Sequence, residues 1–193
     1  LDKAQAKLKM VEQDLKKFGD TATRWGQRTV LAFGIAGAAS VKMASDFEFS
    51  MTKIVTLVGV AEKQVKSWEE SVLAMARTTA RAPKELADAL FVVTSAGMRG
   101  AESLDVLAGA AKAAAIGMGD AKEIARTVTA VVQAYGAENI TAAQATDIMV
   151  ATVREGNLEA SALASSLGRV IGTAATMGVS FENLGAFLAT FTR

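Results

Sequence analysis

Four times in the second half of this chain an apolar, helix-like run stops at a glycine and another begins a few residues later. The stretches are SAGMRGAESLDVL (95–107), AAAIGMGDAKEI (113–124), AYGAENITAAQA (134–145) and TAATMGVSFENL (173–184). A glycine after a helix can take the left-handed conformation that ends it and satisfies trailing carbonyls. Gly97, Gly117, Gly136 and Gly178 are placed to do so. Start signals follow them. Asp120 with Glu123, and Thr141 with Gln144, have capping-box spacing, and Ser180 and Asn157 suit the N-cap. Upstream, Ala82-Pro83 restarts the chain, because Pro costs nothing in a first helical turn. Glu85 and Asp88 then fall near that positive helix end. The pattern predicts helices over 83–97, 102–117, 120–135, 141–155, 158–177 and 180–193. Before them, a stripe of Val65, Trp68, Val72 and Leu73 marks a helix within 62–80.

Helices of about four turns joined by short links fold back on one another. The fold class is therefore all-α: an N-terminal coiled-coil-like helix followed by a multi-helix bundle. Half of the residues are apolar, but Ala and Gly dominate them, which suits helices packed at close range. A single Pro argues against a turn-rich β fold. Spacing between the stops is irregular, so no repeat of fixed period is predicted.

Three segments are expected: 1–28, 29–60 and 61–193. In the first, Leu1, Leu8, Leu15 and Ala22 fall seven apart, with Ala4, Val11, Phe18 and Trp25 three after each. These are a and d positions of a heptad, with Gly19 as an interruption. Two readings stand, a coiled coil and one amphipathic helix lying on the body. The spacing is nearer 3.5 than 3.6 and favours the coiled coil, hence a homo-oligomer such as a trimer. In the second segment no residue from Val30 to Val41 is charged. Ala32, Ala36 and Ser40 recur every four residues, as do Gly34 and Ala38, a spacing that brings helix backbones together. A buried packing helix, running on through Phe47, Met51 and Ile54, is favoured over a membrane segment. The run is shorter than the roughly 20 apolar residues needed to span a bilayer.

The chain lacks Cys and His. No Cys/His zinc site, thiol nucleophile or Ser-His-Asp triad can be built from it. Glu69 and Glu70 are adjacent on a helix and point apart. GMRG and GMGD are helix punctuation, not a phosphate loop. Met75, Met98, Met118, Met149 and Met177 sit mostly at apolar positions, where core packing is the default. Residues 1–45 carry eight basic and four acidic groups, and the remainder thirteen and sixteen. Neither balance is basic enough for nucleic-acid binding. No cofactor is implied. The residues alone lead to a structural or interaction protein. The chain opens without Met and closes inside an apolar run, as a piece of a longer protein would.

From Ala44 to Arg193 the sequence resembles the core region of phage tail tape measure proteins. The matching stretches come in the family's order: ASDFEFSMTKIVTLVGV, MARTTARAPKELADALFVVTSAGM, TAVVQAYGAENITAAQATDIMVATV and EGNLEASALASSLGRVIGTAATMGVSFENLGAFLA. Two departures are Ala82, where the family often has Ser or Thr, and VLAGAAKAAA, where it often has a Pro. The resemblance implies a structural protein of the virion that occupies the tail lumen, helps set tail length and leaves ahead of the genome. Implied partners are further copies of itself, tail tube and tail tip proteins, tail assembly chaperones and, on ejection, the host envelope. It brings no catalytic residue and no cofactor. A compact bundle of this length has a radius of gyration near 16 Å by size scaling and measures little length for its mass. The core is then a specialised module rather than a stretched ruler. A membrane-active helical domain is the alternative, motivated by 30–43 and the Ala/Gly-rich helices. Tape measure proteins can also carry peptidoglycan-cleaving domains, but the residues for one are not visible here. The isolated piece is expected to lack muralytic activity, and a cleared zone in a cell-wall gel would overturn that.

Overall fold

The computed structural model describes residues 38–156 and 160–192. They form eight α-helices: α1 (Ala38–Lys53), α2 (Glu62–Thr79), α3 (Pro83–Ser95), α4 (Ala101–Ala115), α5 (Ala121–Tyr135), α6 (Ala142–Gly156), α7 (Ala160–Thr176) and α8 (Phe181–Phe191). α1 runs directly into a π-helical turn, Ile54–Val58. No strand occurs among the described residues, and the protein is all-α. The heptad positions from Leu1 to Trp25, together with Ala32, Gly34, Ala36 and Asn157, lie outside the described residues. Ala38 and Ser40 belong to the first turn of α1.

Local chemistry sets the helix ends. After α4, Gly117 has φ +90°. Its N–H donates to the Ala114 carbonyl and the Met118 N–H to the Ala113 carbonyl, both at 3.1 Å. This is a Schellman stop, and Gly178 repeats it after α7 with bonds to Ala175 and Ala174. At the starts, Asp120 accepts from the Lys122 N–H at 2.7 Å and Ser180 from the Asn183 N–H at 3.2 Å. Thr141 and Gln144 make the full reciprocal capping box, at 2.9 and 3.2 Å. The Asp120–Glu123 pair makes no such box, since Asp120 caps the Lys122 N–H and not that of Glu123. The Glu123 carboxylate accepts from Arg126, one turn on, at 3.0 Å instead, because a charged donor holds it better than a backbone N–H.

Each helix packs on the helix two after it in the chain, and from α2 to α6, and again from α7 to α8, on the next one as well. α1, α3, α5 and α7 therefore form one row, and α2, α4, α6 and α8 a second row beside it. The core runs between the rows. Trp68 and Val72 of α2, Leu90 of α3, Leu107 of α4 and Val128 of α5 are all buried in it. Alanines fill much of the rest, among them Ala110, Ala111, Ala121 and Ala125. Of the methionines, Met98, Met118 and Met149 are buried, Met75 is partly so, and Met177 is exposed in the link before α8. Met177 follows the last turn of α7, so no helix covers it.

Polar groups pin neighbouring helices. Asp88 of α3 accepts from Ser50 Oγ of α1 at 2.7 Å, from Lys53 Nζ at 3.3 Å and from Lys84 Nζ one turn back. Burial alone would raise its carboxyl, but the bonds from Lys84 and Ser50 and the two ammonium charges bring it below the usual range. The Lys53 ammonium also lies 5.3 Å from the Phe49 ring centroid and 5.2 Å from that of Phe91. Glu85 binds Arg81 at 2.6 Å and reaches the Ala121 N–H at the start of α5 at 3.4 Å.

Glu69, half-buried on α2, is the opposite case. Burial first, then the negative charges of Glu48 on α1 and Glu62 on α2, push its carboxyl from 4.5 up to about 7, against the pull of Lys66. The unfolded chain gives up this proton near 4.5, so the folded state loses stability as pH rises from about 4.5 to 7 and then levels off. Glu69→Gln removes that loss. Thermal melts of the two proteins should coincide near pH 4, and the variant should melt higher at pH 8. Parallel melting curves across that range would contradict the assignment.

Candidate functional surface

Two helix-interior glycines in this fold face a side chain of another helix at close range. Gly109 lies in the middle of α4 and Gly185 in the middle of α8. A helix-interior glycine costs about 1 kcal/mol relative to alanine, so each needs a reason. A Cβ at Gly109 would lie 2.6 Å from Thr146 Oγ1, and one at Gly185 would lie 2.6 Å from Thr152 Oγ1 and 3.0 Å from Ile148 Cγ2. Thr146 and Thr152 are both buried, and both belong to α6. Each hydroxyl donates to its own helix, to the Ala142 and Ile148 carbonyls respectively, at 2.8 Å. Satisfied in this way, the short side chains press against bare Cα atoms, and α6 is held close to α4 on one side and α8 on the other. Sequence reasoning missed both glycines by treating glycine as a stop signal. The available clue was an isolated Gly inside an otherwise apolar helix, as in VLAGAAKAAA and FENLGAFLATF.

Beside the Gly109–Thr146 contact lies a groove of about 760 Å3 between α4 and α6. Its lining includes the small residues Ala108, Gly109 and Ala143 and the charged Glu102, Asp105, Asp147 and Lys112. These groups supply neither a nucleophile–base pair nor a metal set. Among the described residues no group of three or more metal-ligating side chains occurs. Among the described residues the buried hydroxyls of Ser103, Thr129 and Tyr135 have no hydrogen-bond partner. The Tyr135 ring packs on Phe181 at 5.9 Å, and burial raises its phenol. Among the described residues no helix is long and apolar enough to cross a membrane.

The four stop glycines fall at four different helix ends. Gly97 follows α3, Gly117 α4, Gly136 α5 and Gly178 α7, all with positive φ. What the chain presents is the surface of a stacked array, with its ordering residues distributed along it.

The profile of the phage-related minor tail protein family matches residues 69–193, from the middle of α2 onward. The chain belongs to the phage-related minor tail protein family. This minor tail protein is also similar to the tape measure protein of Pneumococcus phage Dp-1, at 25% identity over 163 residues. That alignment takes in 83% of this chain and 14% of the relative. It is likewise similar to the probable tape measure protein of Clostridium phage phiCD119, at 25% identity over 187 residues, 95% of this chain and 20% of the relative. It thus spans a fifth or less of the length of these curated relatives. No solved structure matches it.

The Gly109–Thr146 contact generates a direct test. Gly109→Ala should destabilise the protein by about 1–3 kcal/mol through overpacking, although alanine is the better helix former. Thr146→Ala in the same chain should recover most of that loss in a urea-melt double-mutant cycle. Additive effects would show that the two residues do not meet.

Proposed function

We propose that this chain is a segment of a phage tail tape measure protein: a structural, non-enzymatic part of the virion that lies in the tail lumen, takes part in tail assembly and accompanies genome ejection. The observation that carries the reading is its similarity, along most of its own length, to tape measure proteins of two phages. Membership of the minor tail family and the absence of Cys and His agree with it. The proposed partners are tail tube and tail tip proteins, tail assembly chaperones and further copies of the chain joined through the heptad of residues 1–25. Near-neutral net charge, +1 overall, gives DNA little to hold and suits an occupant that must leave its path.

The stacking of the helices favours a folded module over a stretched ruler. As one straight helix, residues 46–193 would reach roughly 220 Å at about 1.5 Å per residue. Stacked four deep with axes 8–10 Å apart, the first and last helices of a row are separated by only about 30 Å. Tail length by electron microscopy separates the two. Particles whose protein lacks residues 46–193 in frame should fail to start tails, or should make tails of nearly full length that do not infect. Tails shorter by roughly 220 Å would mean that the region is ruler, and the folded-module reading would fall.

A further inference from the structure

The exposed large apolar side chains of this fold are not scattered. Among the described residues, all but Ile116 lie at one end of the array or the other: Val41, Met43, Phe49 and Leu57 at the α1 end, and Val170, Met177, Val179, Phe187 and Phe191 at the α7–α8 end. The second end is the more apolar. From Met177 to Thr192 the one charged residue is Glu182. Phe187 and Phe191 are 62% and 81% exposed, yet their rings stack on each other at 5.7 Å. Beside them Leu184 and Leu188 are half-buried against the core. α7 adds Gly168 and Gly172, where an added Cβ would meet nothing within 4 Å. Elsewhere in this fold a helix-interior glycine, Gly109 or Gly185, receives a threonine from the helix that packs on it.

We propose that in the full-length protein the α7–α8 end face is covered by a further helix of the same polypeptide. It would pack on α7 and α8 as these pack on α5 and α6, adding the next layer to the array. Three observations favour this occupant. The face continues the interface already in use, since α8 turns Gly185 to α6 and Phe187 and Phe191 outward. The array has a growth direction, in which each helix from α3 onward packs on the one two before it in the chain. Finally, relatives that align with most of this chain contain about five to six times its length of polypeptide, as the aligned shares of 14% and 20% require. The proposal concerns how the end is covered and does not depend on where in the particle the protein acts or on tail length.

The test is photo-crosslinking in the full-length protein, with Phe187 or Phe191 replaced by a photoreactive phenylalanine analogue. Both positions are exposed, so the replacement disturbs no buried contact. Copies are made in light and heavy isotopes and mixed before assembly. Cross-linked peptides should pair position 187 or 191 with another segment of the same copy, light with light and heavy with heavy, outside residues 38–192. Mixed-isotope pairs would assign the face to a second copy. A peptide from another tail protein would assign it to that partner, and products quenched only by solvent would leave it open. Each of these three results overturns the proposal. Hydrogen exchange gives an independent reading. Amides of α8 should exchange at least tenfold more slowly in the full-length protein than in the 193-residue chain, and equal rates would count against a covering helix.

Discussion

The approach of α6 to its two neighbours is the contact on which the second half of this structure depends. A core made largely of alanine gains little from any single side chain, since each buried methyl contributes less than about 1 kcal/mol. Such a core is stable only if its helices come close enough for backbones and Cβ atoms to touch along their length. Gly109 and Gly185 permit that closeness, and Thr146 and Thr152 make use of it. The threonines also fix position along the helix axis. Alanine surfaces are smooth and offer few steps to resist sliding, whereas a threonine set against a glycine fits at one register only. The back-bonds of both hydroxyls to α6 carbonyls complete the arrangement, because they let a polar atom enter a dry seam without loss of its hydrogen bond.

The first half is ordered differently. There larger side chains, Phe47, Met51, Ile54, Trp68 and Leu86, occupy the interior, and the seam between α1 and α3 carries a polar pin. Asp88 gathers Ser50, Lys53 and Lys84 and so joins two helices that are separated by α2 in the chain. The pin stays charged because its donors outweigh its burial, whereas at Glu69 burial and two neighbouring carboxylates outweigh the pull of Lys66. Both halves follow one rule of assembly. A helix is held chiefly by the helices two places before and after it in the chain, with no central helix on which all others rest. Energies in such a structure add from layer to layer, and its layers can be lost from an end without a collapse of the middle.

Much of this was readable from the residues, because helix ends are local events. Gly117 and Gly178 stop helices through bonds to carbonyls five or fewer residues back, and Thr141 and Ser180 start them through bonds three residues ahead. A window of a few residues contains all that is needed. The layering was not readable, since nothing in α4 itself says that Thr146 of α6 will lie against Gly109. A glycine in a sequence carries two meanings, conformational freedom and absence of bulk, and only the position of a distant helix separates them. The Asp120–Glu123 box was misread for a related reason. The pattern names the acceptor but not its competitors, and Arg126 one turn on was the stronger donor. Met177 is apolar and sits among apolar residues, yet its place beyond the last turn of α7 puts it in the open.

The geometry of stacking bears on what such a region can measure. One layer of two helices takes up about 40 residues with its links and advances the array by one interaxial spacing, about 10 Å. The same residues in a single helix would advance it by about 60 Å. A stacked region is therefore roughly sixfold less sensitive as a length standard, and its variation in helix length, from 11 to 18 residues, leaves length per residue uneven as well. What stacking provides instead is width and side surface: two rows of helices, a groove lined in part by charged residues between α4 and α6, and an apolar end face built around Phe187 and Phe191. These are properties of a part that contacts other parts. If, as proposed, the chain is one segment of a tape measure protein, what the stacked helices would contribute is contact surface rather than length.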